Sequence, residues 1–274
     1  MRPVTFSFIL FIFIALTWAL YTPLSSFIII QTLLHSTADP SSIDQTLKYT
    51  DAGSVTLLRK GMASASPKIR LRCARTLALQ GYREGDRCLA EILREHAGSS
   101  QDTLGGMSEF FLISLWEQRN APEPSTRERL TRLETERNSD PDMINELNEA
   151  LSNHPAWSGG YVRRARVFQR NGENHDARRD ALIALMIDSQ NFEAMVVLGR
   201  SYLQLDAPEQ AFVCLEQAVR VNPRLKSDLK ADLVEALKAI EIEKERRRRE
   251  RRKDVMVVSG ERGQVWVTMF RDFS

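Results

Sequence analysis

Four histidines (His35, His96, His154, His175) and three cysteines (Cys73, Cys88, Cys214) are the residues best suited to hold a metal or attack a substrate. A zinc site needs ligands converging from short spacings such as H-E-x-x-H or C-x-x-C, and none of these residues has such a neighbour. His154 beside Pro155 and His175 in a turn read as solvated loop residues. The odd cysteine count reads as small buried thiols, with a Cys73–Cys88 bridge as the alternative if this part lies outside the cytoplasm. No G-x-S-x-G nucleophile motif occurs. Lys253-Asp-Val-Met-Val-Val-Ser-Gly260 reads like a strand entering a phosphate-binding loop. The residues that follow, Glu261 to Trp266, lack the later glycine and the Lys-Ser/Thr that would cradle phosphates, and only 14 residues follow Gly260. The sequence therefore points to no catalytic residue, no metal and no cofactor.

Charge singles out one segment. Net charge is +2, yet Lys244 to Lys253 holds eight basic and two acidic residues. This run reads first as the exposed end of a helix, where the macrodipole favours cations. Contact of Arg246 to Lys253 with anionic lipid is a second reading. Nucleic acid is not expected, because the run has no interleaved aromatics and no recognisable RNA-binding fold beside it.

Two kinds of element must carry these residues. Between Pro3 and Ala38 no side chain is charged except the titratable His35, and Val4 to Leu20 is almost wholly apolar. About 20 apolar residues span a bilayer as a helix, so residues 1–38 are expected to be one uncleaved signal-anchor. A cleaved signal peptide is the competing reading, disfavoured by the long apolar stretch and by Trp18, Leu20, Tyr21 and Pro23 near its end. Arg2 before the span and Asp39 and Asp44 after it favour a single-pass membrane protein with a cytoplasmic N-terminus and an extracytoplasmic, periplasmic body.

From Ser41 to Leu237 apolar residues recur at helical spacing, and breaks fall at Pro, Gly, Ser and Asn clusters. Ser66-Pro67 and Asp140-Pro141 mark helix starts. Setting each residue against the one 34 positions later aligns two blocks without a gap. Tyr161 falls on Met195, Ala165 on Gly199, Phe168 on Tyr202, Ala177 on Ala211, and Ala184 on Ala218; the blocks end at Ser189 and Pro223. One step further back, Met143, Leu147, Ala150, Leu151 and Pro155 match the second half of a block. Small residues recur where paired helices would cross and aromatics where they would fill the space beside the crossing.

These residues resemble the tetratricopeptide repeat (TPR), in Leu198-Gly199-x2-Tyr202, Ala211, Ala218 and Pro223. Arg164 and Ser189 stand in the first block where the family prefers leucine and proline. Upstream, Pro67, Ile69-Arg70, Cys73, Leu77 and Gly81 resemble the first helix of a HEAT-type repeat; Cys88–Leu93 and Met107–Trp116 follow as further helices. The fold expected is all-α, a right-handed α-solenoid. It divides into HEAT-like repeats at 39–122, a linker or helix at 123–139 and a TPR array at 140–223. A charged capping helix at 224–253 carries the stripe Leu229, Leu233, Leu237 and Ile240, and the tail at 254–274 reads as a β-hairpin.

The resemblance implies that the first helix of each block lines a concave groove. Its side chains here would be Val162, Arg163, Arg166, Gln169 and Arg170, then Val196, Arg200, Leu203 and Gln204. With Glu193 as the only acid on those helices, four arginines suggest a protein or peptide ligand of acidic character. The function expected is a membrane-anchored scaffold for protein–protein interaction. The segment from Lys253 to Gly260 is also similar to the entry strand of sulfotransferases that follow TPR arrays, which keeps a truncated or non-catalytic relative of such an enzyme as the alternative.

Overall fold

A computed structural model of the chain describes residues 52–97, 103–135 and 140–257. Among them all regular structure is helical: α1 (Ala52–Met62), α2 (Pro67–Leu79), α3 (Arg83–Glu95), α4 (Thr103–Gln118), α5 (Pro124–Thr135), α6 (Asp140–Asn153), α7 (Ser158–Arg170), α8 (Asn174–Ile187), α9 (Phe192–Gln204), α10 (Pro208–Val221), a 3-10 turn (Pro223–Lys226) and α11 (Lys230–Val257).

The 34-residue step is written in the boundaries. Helices α5, α7 and α9 begin at 124, 158 and 192, and α6, α8 and α10 begin at 140, 174 and 208. The segment 123–139 thus holds the first helix of a further block, in register with the other two. The hairpin turns at residues 81, 172 and 206 close alike. Gly172 has φ +78°, its N–H donates to Gln169 O, and the N–H of Glu173 reaches Phe168 O. This satisfies the last helical carbonyls and needs a left-handed residue, the role glycine fills without strain. Asp206 takes the same place one block later at φ 54°. Gly81 does so between α2 and α3. Pairing is tight where the sequence is small: a Cβ on Gly199 would lie 2.6 Å from Leu215 Cγ.

Arg164, the departure from the expected leucine, has a structural reason. Its guanidinium donates to both oxygens of Asp180 on α8, at 2.6 and 2.9 Å, and to Asn148 on α6 at 2.7 Å. Asp180 is fully buried. One block later these two positions hold Leu198 and Cys214, which sit together in an apolar cluster. A charged pair and an apolar pair are therefore alternative fillings of one site.

The upstream hairpins do not simply extend the stack. Their apolar residues share one core with α9 and α10, with Trp116 edge-on to Phe192 at 5.0 Å. Helix α4 crosses the corners where one block passes to the next. Arg119, just past its end, holds Asp86 through two 2.8 Å contacts, donates to Ala78 O, and reaches Asp188 at 3.2 Å. Asp188 also accepts from Ser158 and Arg83. At the next corner Glu109 accepts from Asn222 and Arg224. Asp86 and Asp188 are both buried. The hydrogen bonds that Arg119 donates to Asp86 hold its pKa above the ordinary arginine value against the opposing effect of burial.

Three expectations change. The single-pass membrane localisation with an extracytoplasmic body is corrected: no helix of the described residues is long and apolar enough to cross a membrane. The stretch from Pro3 to Ala38 on which it rested lies outside the described residues. Val255–Val257, expected as the start of a β-hairpin and as the sulfotransferase-like entry strand, continue α11 instead. Pairs at helical spacing, Arg247–Glu243 at 2.9 Å and Arg246–Glu243 at 3.0 Å, support the helix before this point. The rest of the expected hairpin lies outside the described residues. In the capping helix Leu229 and Ala236 are buried, whereas Leu237 is half exposed.

Candidate functional site

The first helices of the blocks, α5, α7 and α9, lie side by side, and the start of α11 continues the row. Side chains link each to the next. Arg163 on α7 reaches Glu134 on α5 at 3.2 Å, Arg166 on α7 reaches Glu193 on α9 at 2.7 Å, and Arg200 on α9 reaches Asp232 on α11 at 2.7 Å. Gln169 donates to Val197 O at 2.9 Å and contacts Ser201 Oγ at 3.2 Å, tying α7 to α9 a second time.

Between α7, α9 and α11 opens a cleft of about 640 Å³. Seven of the nine groove residues expected from the sequence line it: Arg166, Gln169, Arg170, Val196, Arg200, Leu203 and Gln204. Val162 does not, because it is 1% exposed and packs with Ala165, Ala181 and Val197. Arg163 faces a second cleft, of about 580 Å³, between α4, α5 and α7, with Ile113, Glu117, Arg127, Glu128 and Arg132.

The acids were not legible from the first helices alone. Arg163 is held by Glu117 of α4 at 2.9 Å, and Asp232 and Glu235 of α11 stand in the first cleft. Arg166, Arg170 and Arg200 therefore face Glu193, Asp232 and Glu235, and the formal charges balance. No excess of positive charge remains in this cleft, so net charge alone does not select an acidic ligand here. Burial pushes the Glu117 pKa up, against the pull of Arg163. Burial works against the charge of Arg166, but Glu193, Glu134 and Glu117 outweigh it and raise its pKa. Both pairs thus sit where water is partly excluded.

Elsewhere the chemistry is sparse. Among the described residues no three His, Cys, Asp or Glu side chains converge as metal ligands. Cys73, Cys88 and Cys214 are unbridged, and burial pushes the first two thiols up to about 12 and about 11. In the basic run, Arg246, Arg247 and Arg249 face Glu243, Glu245 and Glu250 along the same helix.

No model of a protein family matches the chain, and no curated protein matches its sequence. Among solved structures, it is similar to the MamA protein, with 13% identity, a TM-score of 0.31, and 74% of this chain and 94% of that one covered. It is also similar to the TPR2AB domain of yeast Sti1 in its complex with pHSP90, at 13% identity and a TM-score of 0.37 over 76% of this chain and 98% of that one. A third is TTC0263, a thermophilic TPR protein of Thermus thermophilus, at 18% identity and a TM-score of 0.33 over 76% and 98%. Scores this low do not establish a common overall fold, and the functional reading rests on the groove itself.

Proposed function

We propose that the chain is a non-catalytic helical-repeat scaffold that docks a segment of another protein in the groove formed by α5, α7, α9 and the start of α11. The observation that carries this is the open cleft of about 640 Å³ lined by side chains of three successive first-helix positions. It presents apolar Val196 and Leu203 beside alternating cations and anions, a lining suited to an extended segment with an apolar side chain and polar neighbours. Helix α4 supports the role by buttressing the block corners, which fixes the curvature of the groove before a ligand arrives. Pre-organisation of that kind lowers the entropy lost on binding.

The test is site-specific photo-cross-linking. A photoreactive phenylalanine analogue replaces Leu203 in the groove or Val213 on the exposed back of α10. A partner adduct from position 203 and none from 213 is the expected result. Adducts from the back alone refute the reading.

A further inference from the structure

Arg132, Arg166 and Arg200 are each separated by 34 residues and occupy one position on α5, α7 and α9. We propose that they form a ladder that reads carboxylates at every third residue of an acidic peptide segment crossing the groove; this rests on the groove reading above.

Each rung keeps donors to offer. Arg166 meets Glu193 through Nη2 alone, and Arg200 meets Asp232 through Nε alone. A guanidinium carries five N–H groups, so an edge remains for a ligand carboxylate in the bidentate geometry arginine prefers. The side chains of Arg166 and Arg200 are 38% and 48% exposed, open enough for such an approach. Arg132 is exposed and has no ion-pair partner among the described residues, for a reason visible in the register. Glu193 lies 27 residues after Arg166, and the same step from Arg132 lands on Gly159.

Geometry sets the ligand spacing. Packed helices lie about 8–10 Å apart. A polyproline II strand turns once per three residues and rises about 3.1 Å each, so its every third side chain points the same way after about 9 Å. One turn of such a strand therefore matches one step of the ladder. Glu193, Asp232 and Glu235 repel acids placed between rungs, so spacing is read rather than total charge. The second cleft sets Arg127, Arg132 and Arg163 against Glu117 and Glu128, and Glu134 also holds Arg163, so there too spacing rather than net charge is what a ligand meets.

The experiment presents the full chain to an immobilised library of ten-residue peptides. Each carries glutamates separated by one to five positions at constant composition. Retention should peak at a separation of three, about tenfold above adjacent glutamates, a difference of about 1.4 kcal/mol. The triple variant R132Q/R166Q/R200Q should lose the preference. The double variant E193Q/D232N keeps the ladder while removing two of the acids that repel carboxylates between rungs, and should show a weaker preference that still peaks at three. Equal retention at all separations, no retention, or a preference that survives the triple substitution overturns the ladder. A partner cross-linked at position 203 that lacks spaced acids overturns the ladder and leaves the groove reading standing. Cross-linking only at the back removes the groove reading itself.

Discussion

Arg164→Leu strips a buried carboxylate of its partner, and the neighbouring block shows what restores the site. Asp180 is 0% exposed and receives both of its guanidinium hydrogen bonds from Arg164. Removing one member of a buried ion pair costs about 3–5 kcal/mol, because the remaining charge is left desolvated and unpaired. Arg164 also bonds Asn148, but on an exposed edge, where the loss adds little. For a helical body of this size each kcal/mol lowers Tm by about 2–4 °C, so Arg164→Leu should melt roughly 6–20 °C below the parent.

The double variant Arg164→Leu, Asp180→Cys copies the Leu198 and Cys214 filling of the next block. Replacing a buried pair by apolar residues is often neutral or stabilising, so it should melt within a few degrees of the parent. Circular dichroism melts of the two single variants and the double form a double-mutant cycle, with an expected coupling of about 3 kcal/mol or more. A single variant that loses under about 1 kcal/mol, or a double as unstable as Arg164→Leu, would refute the exchange of one filling for the other.

Asp206→Gly should raise Tm by one to a few degrees, since relief of left-handed strain of about 1–2 kcal/mol exceeds the chain entropy of an added glycine, about 0.5–1 kcal/mol; a fall in Tm counts against it. Gly199→Ala places a Cβ 2.6 Å from Leu215 Cγ and should cost about 1–3 kcal/mol in a melt, and an unchanged melt would show that the pair can part. Arg119→Met leaves Asp86 and Asp188 to share Arg83 alone. It should cost about 1.5–3 kcal/mol and speed hydrogen exchange in α4, with protection unchanged if the corner contacts are dispensable. Cys73 and Cys88, held up to about 12 and about 11 by burial, should stay unlabelled by iodoacetamide near pH 8 in the folded chain; rapid labelling would place either thiol at the surface.

What the sequence disclosed depended on whether a position is defined by its own residue or by a distant one. The block from Phe192 was legible because Gly199, Tyr202, Ala211 and Ala218 sit at crossings that admit only such shapes. The block from Pro124 was half hidden. Its α6 half shows in the buried Met143, Leu147 and Ala150, but α5 carries Arg127, Thr131 and Glu134 where the later blocks have Tyr161, Ala165 and Phe168. Only Leu130, fully buried at the place of Leu198, kept the register. The tail misled in the opposite way. Val255 and Val257 favour a strand in isolation, yet extending an established helix spares them the cost of nucleating anything else. For the groove, seven of the side chains picked out by the 34-residue period line one cleft, because stacking fixes which face of each helix is shared. It could not supply their charge partners. Glu117 is 46 residues from Arg163, and Asp232 is 32 from Arg200, so both pairs follow from how helices stack rather than from any local pattern. A basic stripe on a helix of a repeat protein therefore specifies an acidic ligand only after the neighbouring helices have been charged against it. Here that subtraction leaves spacing, not net charge, as the property a partner can be selected by.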